Sequence, residues 1–265
     1  MDKNSNQFTL VFAIAMCVIL ATALASTFHG LKSSIDKNRL FDKNRNVLIA
    51  VGLFDPNQVP KTQAELEKLF ADKVTAQVLK FTKGEVPVTV RRNDQEMQEN
   101  VRKVIKVEST DYKIEELPRL ARELRQQQDK DHEYGAIYLA DTPDGKVYCV
   151  PISGAGLWSI LYGFLALRDD LDTVAGITFY QHGETPGLGG EVDKAWWQQD
   201  WKGKKIFEDG RLASVTVLRG RGNQNRGPHQ VDGISGATIT CNGVTKFLQA
   251  DLEKYEPYFK QLRKK

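Results

Sequence analysis

The chain has 265 residues, 41% of them hydrophobic, which suits one large domain with a buried core plus an anchor. With 37 basic and 34 acidic side chains, the net charge of +3 is too balanced to make nucleic acid an expected partner. The three cysteines are too few and too scattered for a disulfide framework or a zinc site, and Cys149 and Cys241 sit among small or apolar neighbours as buried residues.

After a short segment over residues 1–7, residues 8–28 contain no charged side chain. At about 1.5 Å per residue this run reaches roughly 31 Å, the thickness of the hydrocarbon layer. Ala23-Leu24-Ala25 before Ser26 fits the small-x-small pattern of a signal-peptide cleavage site. Against cleavage, the region before the run offers only Lys3 as a basic side chain, and the run outlasts an ordinary signal core, so an uncleaved transmembrane helix is expected. Nothing around Cys17 resembles a lipid-attachment signal. Lys32, Lys37, Arg39, Lys43 and Arg45 follow the run, so a positive-inside count places the large domain in the cytoplasm, although long domains translocate largely regardless of flanking charge.

Residues 29–46 read as a polar juxtamembrane linker, and a soluble domain is expected over 47–265. The apolar run 47–53 predicts a buried strand. Pro60 opens a predicted helix in which Leu66, Leu69, Val74, Val78 and Leu79 recur at helical spacing. Residues 86–90 alternate like an edge strand, and 117–128 read as a second amphipathic helix begun by Pro118. Segments 136–139 and 146–150, joined through Asp141-Thr142-Pro143-Asp144-Gly145, predict a hairpin. Residues 157–167 are apolar all round, which predicts a buried helix or helix–turn. A strand over 174–180 should deliver a loop over 182–190, followed by an aromatic-rich helix over 191–201, a strand over 213–218 and a closing helix over 238–255. Without a βαβ rhythm, the expected class is α+β, with a mixed and largely antiparallel sheet.

The densest signal is Val231-Asp232-Gly233-Ile234-Ser235-Gly236-Ala237-Thr238-Ile239-Thr240, a small-residue turn opening into the closing helix. Gly233 and Gly236 allow a sharp turn, and Ser235 is a favoured N-cap type. Thr238 then falls in the first helical turn, where free N–H groups and the helix dipole favour a phosphate. No lysine stands beside its hydroxyl, so this is not a P-loop. The block resembles the covalent flavin-attachment motif D-x-x-[ST]-G-A-T of the FMN-binding domain family, matched by Asp232, Ser235, Gly236, Ala237 and Thr238. Two further blocks are similar to that family, residues 151–159 and residues 182–190, with Trp196, Trp197 and Trp201 beyond them. From about Asn46 onward the sequence resembles the C-subunit branch of the bacterial sodium-translocating NADH:quinone oxidoreductases, with the G subunit of Rnf complexes a more distant cousin.

The resemblance implies FMN bound through a phosphoester to Thr238, with Ser235, Gly236 and Ala237 beside it and the binding region over about 145–255. Glu184, Thr185, Gly187 and Leu188 would touch the flavin, because the bare backbone of a Gly-rich loop can approach an isoalloxazine ring closely. Trp158 would pack either on the flavin or into the core. It further implies a membrane-anchored electron-transfer subunit in a bacterial inner membrane, with its large domain on the periplasmic side. That subunit would relay electrons from NADH toward ubiquinone, coupled to sodium export. Its partners would be the other subunits, which hold the NADH and quinone sites, a flavin transferase for maturation, and the membrane. A flavin-free, membrane-tethered binding or scaffold module and an Rnf-type electron-transport subunit are the alternatives.

Six other features carry bland readings. Thr240 is a second hydroxyl near Thr238 but on another side of the helix, and Cys241 is a small packed residue. His182 and Glu184 lack a third ligand nearby, so no metal is expected. The S-x-x-K of Ser34 to Lys37 has neither companion motif, and Gly154-Ala155-Gly156 reaches Ser159 where a dinucleotide fingerprint needs glycine. The Arg-rich run 219–227 reads as a solvated loop.

Overall fold

The computed structural model describes residues 6–56, 61–82, 87–90, 132–224 and 226–263. The predicted helix over 117–128 lies outside the described residues. The chain forms two compact units, Met1–Asp42 and Lys43–Lys265.

Helix α1 (Asn6–Ala50) is long and apolar enough to cross a membrane. Its apolar side chains, among them Leu10, Phe12, Ile19 and Leu24, are exposed along the predicted span. The hydroxyls of Thr22 and Thr27 donate back to the carbonyls of Val18 and Ala23 at 2.7 and 2.9 Å, which satisfies them within the helix itself. The charged stretch 29–46 continues the same helix.

In the second unit, residues 47–50 are the last turn of α1, which corrects the predicted strand over 47–53. The apolar run is continuous because the helix end is buried, with Val47, Leu48, Ala50 and Val51 almost fully covered, and periodicity alone does not separate that case from a strand. Gly52 supplies the stop. At φ 82° it sits just past the helix, and the N–H groups of Leu53 and Gly52 donate to the carbonyls of Leu48 and Ile49 in a Schellman arrangement.

Helix α2 (Gln63–Lys73) begins with a capping box between Thr62 and Glu65 and buries Leu66 and Phe70. It stops before Val74, where β1 (Val74–Thr82) begins, so Val74, Val78 and Leu79 belong to a strand and not to the predicted helix. Strand β2 (Val88–Val90) is the edge that the alternation over 86–90 predicts. Strands β3 (His132–Thr142) and β4 (Gly145–Ala155) form the predicted hairpin. Next come β5 (Ile160–Leu167) and β6 (Val174–Gln181), giving one six-stranded antiparallel sheet in the order β2-β1-β3-β4-β5-β6.

Strand β5 replaces the predicted buried helix over 157–167. It is apolar all round because the sheet is covered on both faces. One face carries Tyr138, Phe164, Gly176 and Thr178 against Phe70 and the end of α1: a Cβ on Gly176 would lie 2.5 Å from the Ala50 carbonyl oxygen, and the Thr178 hydroxyl donates to the Asn46 carbonyl. The other face, with Ile137, Val150, Ile152, Leu165 and Ile177, belongs to the core shared with the C-terminal helix. Cys149 is fully buried in the sheet, and burial pushes its thiol well above the ordinary range.

Beyond the sheet the elements become shorter. The predicted helix over 191–201 resolves into a 3₁₀ turn (Gly189–Asp193) and a short α3 (Ala195–Gln199). Strands β7 (Phe207–Glu208) and β8 (Arg211–Leu212) form a tight hairpin. The predicted strand over 213–218 shrinks to β9 (Thr216–Val217), because Ser214 takes a φ of 58° that breaks extension. Strand β9 pairs in parallel with β10 (Gln230–Val231). Helix α4 (Thr238–Arg263) closes the domain and runs past the predicted end at residue 255. It is fastened across the sheet: Ser153 N–H donates to the Asp251 carboxylate at 2.8 Å, and the Tyr255 hydroxyl donates to the Ala136 carbonyl at 2.9 Å.

Candidate functional site

The three sequence blocks converge at the N-terminal end of α4. The first helical hydrogen bond runs from Cys241 N–H to the Ala237 carbonyl, so Ala237 occupies the cap position and Thr238 the first helical one. This corrects Ser235 as the N-cap; it lies in the exposed turn before the helix, beside Gly236 at φ 79°. Ala237 brings no side-chain oxygen. The N–H groups of Thr238, Ile239 and Thr240 therefore meet no protein acceptor among the described residues. An exposed threonine hydroxyl stands at a helix end that still wants an anion.

Thr240, the competing hydroxyl, is 1% exposed and donates to the Glu184 carboxylate at 2.6 Å. Helical spacing thus separates the two threonines by function: Thr238 faces out and Thr240 is consumed inside. Cys241 is buried and its Sγ accepts the Ile234 N–H, with burial raising the thiol above its usual value.

Glu184 is itself only 5% exposed. Its Oε1 accepts the N–H groups of Trp158 and Ser159 at 2.9 and 3.0 Å and the Ser159 hydroxyl at 3.2 Å, while Oε2 accepts Leu157 N–H at 3.2 Å together with Thr240. The next residues form a type II turn whose sequence signal is Pro186-Gly187: Leu188 N–H donates to the Thr185 carbonyl, and Gly187 takes a φ of 77°. The turn presents Leu188 outward, close enough to Gly236 that a Cβ there would meet Leu188 at 2.7 Å.

From Lys43 onward, the exposed large hydrophobic residues among those described are Leu157, Trp158, Ile160, Leu188 and Ile239. All five sit on or next to the three blocks. Trp158, at 71% exposed, does not pack into the core, which settles that alternative. Leu157, Ile160 and Ile239 join this exposed patch although periodicity assigns them to a buried segment or an ordinary helix start; only Leu157 carries a local signal, an apolar residue in the loop that follows Gly156.

Asp232, the first residue of the attachment block, has a structural task. Its carboxylate accepts Gly222 N–H and the backbone and side-chain N–H groups of Asn223, and it lies 3.7 Å from Arg226. The Arg-rich loop is thereby tied down, and Arg221 lies over the Trp196 ring at 4.1 Å. Among the described residues no group of three His, Cys, Asp or Glu side chains could hold a metal ion.

Burial alone would raise the Glu184 carboxyl, but hydrogen bonds from Thr240, Trp158, Leu157 and Ser159 hold it below the ordinary value of 4.5. A lowered value means that the clasp is complete above about pH 4.5 and lost as pH falls through the lowered value. His182 shares the turn: its Nδ1 accepts Glu184 N–H at 3.3 Å and its Nε2 lies 3.6 Å from Asp193. Acidification below about pH 4.5 is expected to free the Trp158 loop, read as the emission difference between the native chain and Trp158→Phe. The Glu184→Gln variant should lack this transition; a transition that persists in it would assign the effect elsewhere.

An FMN group fits these residues: a phosphate at the open helix end, and an apolar ring on the exposed patch. Residues 156–253 match the family model described as FMN-binding domain. The fold and site therefore define an FMN-binding domain, here preceded by an apolar helix. The chain is 34% identical to the C subunit of the Na(+)-translocating NADH-quinone reductase of Yersinia pestis, covering 99% of this chain and 95% of that one. It is 35% identical to the same subunit of Pseudomonas aeruginosa, covering 99% and 98%. The crystal structure of the C subunit from Parabacteroides distasonis superposes with a TM-score of 0.61 at 26% identity, covering 86% of this chain and 96% of that one. Shewanella oneidensis NqrC gives the same score and identity, covering 86% and 100%. The chain belongs to the family of C subunits of the Na(+)-translocating NADH-quinone reductases.

Proposed function

We propose that this chain carries FMN as a phosphoester on Thr238 and serves as a membrane-anchored electron carrier in a sodium-translocating NADH:quinone reductase. One observation carries the reading: the exposed Thr238 hydroxyl stands at an uncapped helix N-terminus, beside an exposed apolar patch made by all three sequence blocks. FMN, when bound, supplies the redox chemistry. The chain supplies the rest. The amides of the first α4 turn receive the phosphate, while Leu157, Trp158, Leu188 and Ile239 offer apolar surface to the ring. Gly236 and Ala237 put no side-chain oxygen beside the hydroxyl, Ser235 lies in the exposed turn before it, and Thr185 and Gly187 shape the turn that presents Leu188.

In this reading residues 1–7 precede the membrane, 8–28 span it, 29–46 join the span to the domain, and 47–265 lie on the periplasmic side of a bacterial inner membrane. Electrons pass from NADH toward ubiquinone, whose sites lie on other subunits, and the transfer is coupled to sodium export. A flavin transferase attaches the cofactor. No specific observation favours the flavin-free scaffold or the Rnf-type role. The test is in-gel flavin fluorescence after denaturing electrophoresis of the chain produced with and without a flavin transferase. Fluorescence that depends on the transferase is expected; a dark band in both overturns the carrier role. For the topology, a C-terminal reporter active only outside the cytoplasm is expected, and one active only inside it would reverse the assignment.

A further inference from the structure

We propose that Glu184 is a positioning residue of this site: its carboxylate clamps the 157–159 loop and, through the Thr240 hydroxyl, the first turn of α4 into one register, which holds Trp158 in place relative to the Thr238 hydroxyl. The proposal rests on the reading that Thr238 carries FMN.

Three successive backbone N–H groups, from Leu157, Trp158 and Ser159, converge on this one carboxylate. Such a run of amides makes an anion-binding concavity, and bonds to an ionised acceptor are roughly twice as strong as neutral ones. The loop has little else to hold it, since its local backbone bond runs from Gly156 N–H to the Ser159 carbonyl. The Trp158 side chain is too exposed to be fixed by packing, so the backbone clamp sets where it points from. Ser159 Oγ links back by accepting Gly183 N–H at 2.7 Å.

The glycines of two blocks make room for this carboxylate. A Cβ on Gly156 would lie 2.7 Å from Glu184 Oε1, and one on Gly189 would lie 2.8 Å from Oε2 and 2.6 Å from Thr240 Oγ1. These glycines therefore serve close packing around Glu184, beneath the exposed patch. A carboxylate is required here, because every neighbour donates. Glutamine would offer one acceptor oxygen, and its NH₂ would confront either Leu157 N–H or the Trp158 and Ser159 donors.

The test compares the native full chain with Glu184→Ala, Glu184→Gln and Thr240→Val, each produced beside a flavin transferase. Amide exchange at residues 157–159 reads the clamp, with the buried amides of α4 as the internal reference for folding. Emission and midpoint potential of the attached flavin read its consequence, which a merely structural role would not move. In Glu184→Ala the loop amides are expected to exchange about tenfold faster or more, with flavin emission and potential both shifted. Glu184→Gln should fall between this variant and the native chain. Thr240→Val removes one partner of the clamp, should shift the flavin in the same direction by less, and carries the test if Glu184→Ala does not fold. Unchanged loop exchange, or unchanged emission and potential in these variants, would overturn the proposal. A native chain without covalent flavin would instead overturn the reading beneath it, while the exchange experiment still reports on the clamp.

Discussion

Trp197→Ala is expected to lower the unfolding free energy of the second unit by about 3–5 kcal/mol, a large part of the roughly 5–15 kcal/mol that holds a typical domain. The indole is 0% exposed and lies edge-on to Trp201 at 5.3 Å and beside Phe179 at 6.0 Å. Removing it leaves a large cavity between α3 and β6. It also removes the hydrogen bond from Trp197 Nε1 to the Asp232 carbonyl at 2.8 Å, which ties α3 to the start of the attachment block. Trp197→Phe separates the two losses: it keeps most of the apolar volume and should cost about 1–3 kcal/mol, the range for a buried acceptor left unmatched. Denaturant unfolding of the detergent-solubilised chain checks both, and equal costs for Phe and Ala would refute the division.

Thr238→Ala is expected to do the opposite, leaving stability intact while abolishing covalent flavin. Thr238 is exposed, and alanine has the higher helix propensity, so the unfolding free energy should move by no more than about 0.5 kcal/mol. In the proposed linkage the Thr238 hydroxyl oxygen forms the phosphoester and gives up its proton, the adduct being FMN less one water, so removing the hydroxyl should leave no partial attachment at that position. Thr238→Ser retains a hydroxyl and should retain some attachment. Covalent flavin in the alanine variant would transfer the role to Ser235, since Thr240 is buried and engaged with Glu184.

Much of this site is legible in the sequence because its signals are local. The attachment block announces a turn and a helix start that puts Thr238 in the first helical turn; the Gly-rich run 182–190 announces a loop; and Asp141 to Gly145 announces the β3–β4 hairpin. What escapes the sequence is decided by distant partners. The run 157–167 reads as a helix because β5 is covered on both faces, and full burial erases the alternation that marks a strand. The run 47–53 reads as a strand because burial hides its helical period, although Gly52 marks the stop. Glu184 reads as a flavin contact because its block does, while its bonds to residues 26 positions before it and 56 after it, made from a buried position, are invisible within that block. No spacing rule connects those positions.

The central claim is the phosphoester at Thr238, and peptide mass mapping of the native chain tests it most directly. Cleavage after Arg226 and Lys246 releases a peptide over residues 227–246, which holds Ser235, Thr238, Thr240 and Thr245. For the chain produced beside its transferase, this peptide is expected to exceed its sequence mass by FMN less one water, with fragment ions placing the increment on Thr238. An unmodified peptide, or an increment localised to any other residue, would contradict the account.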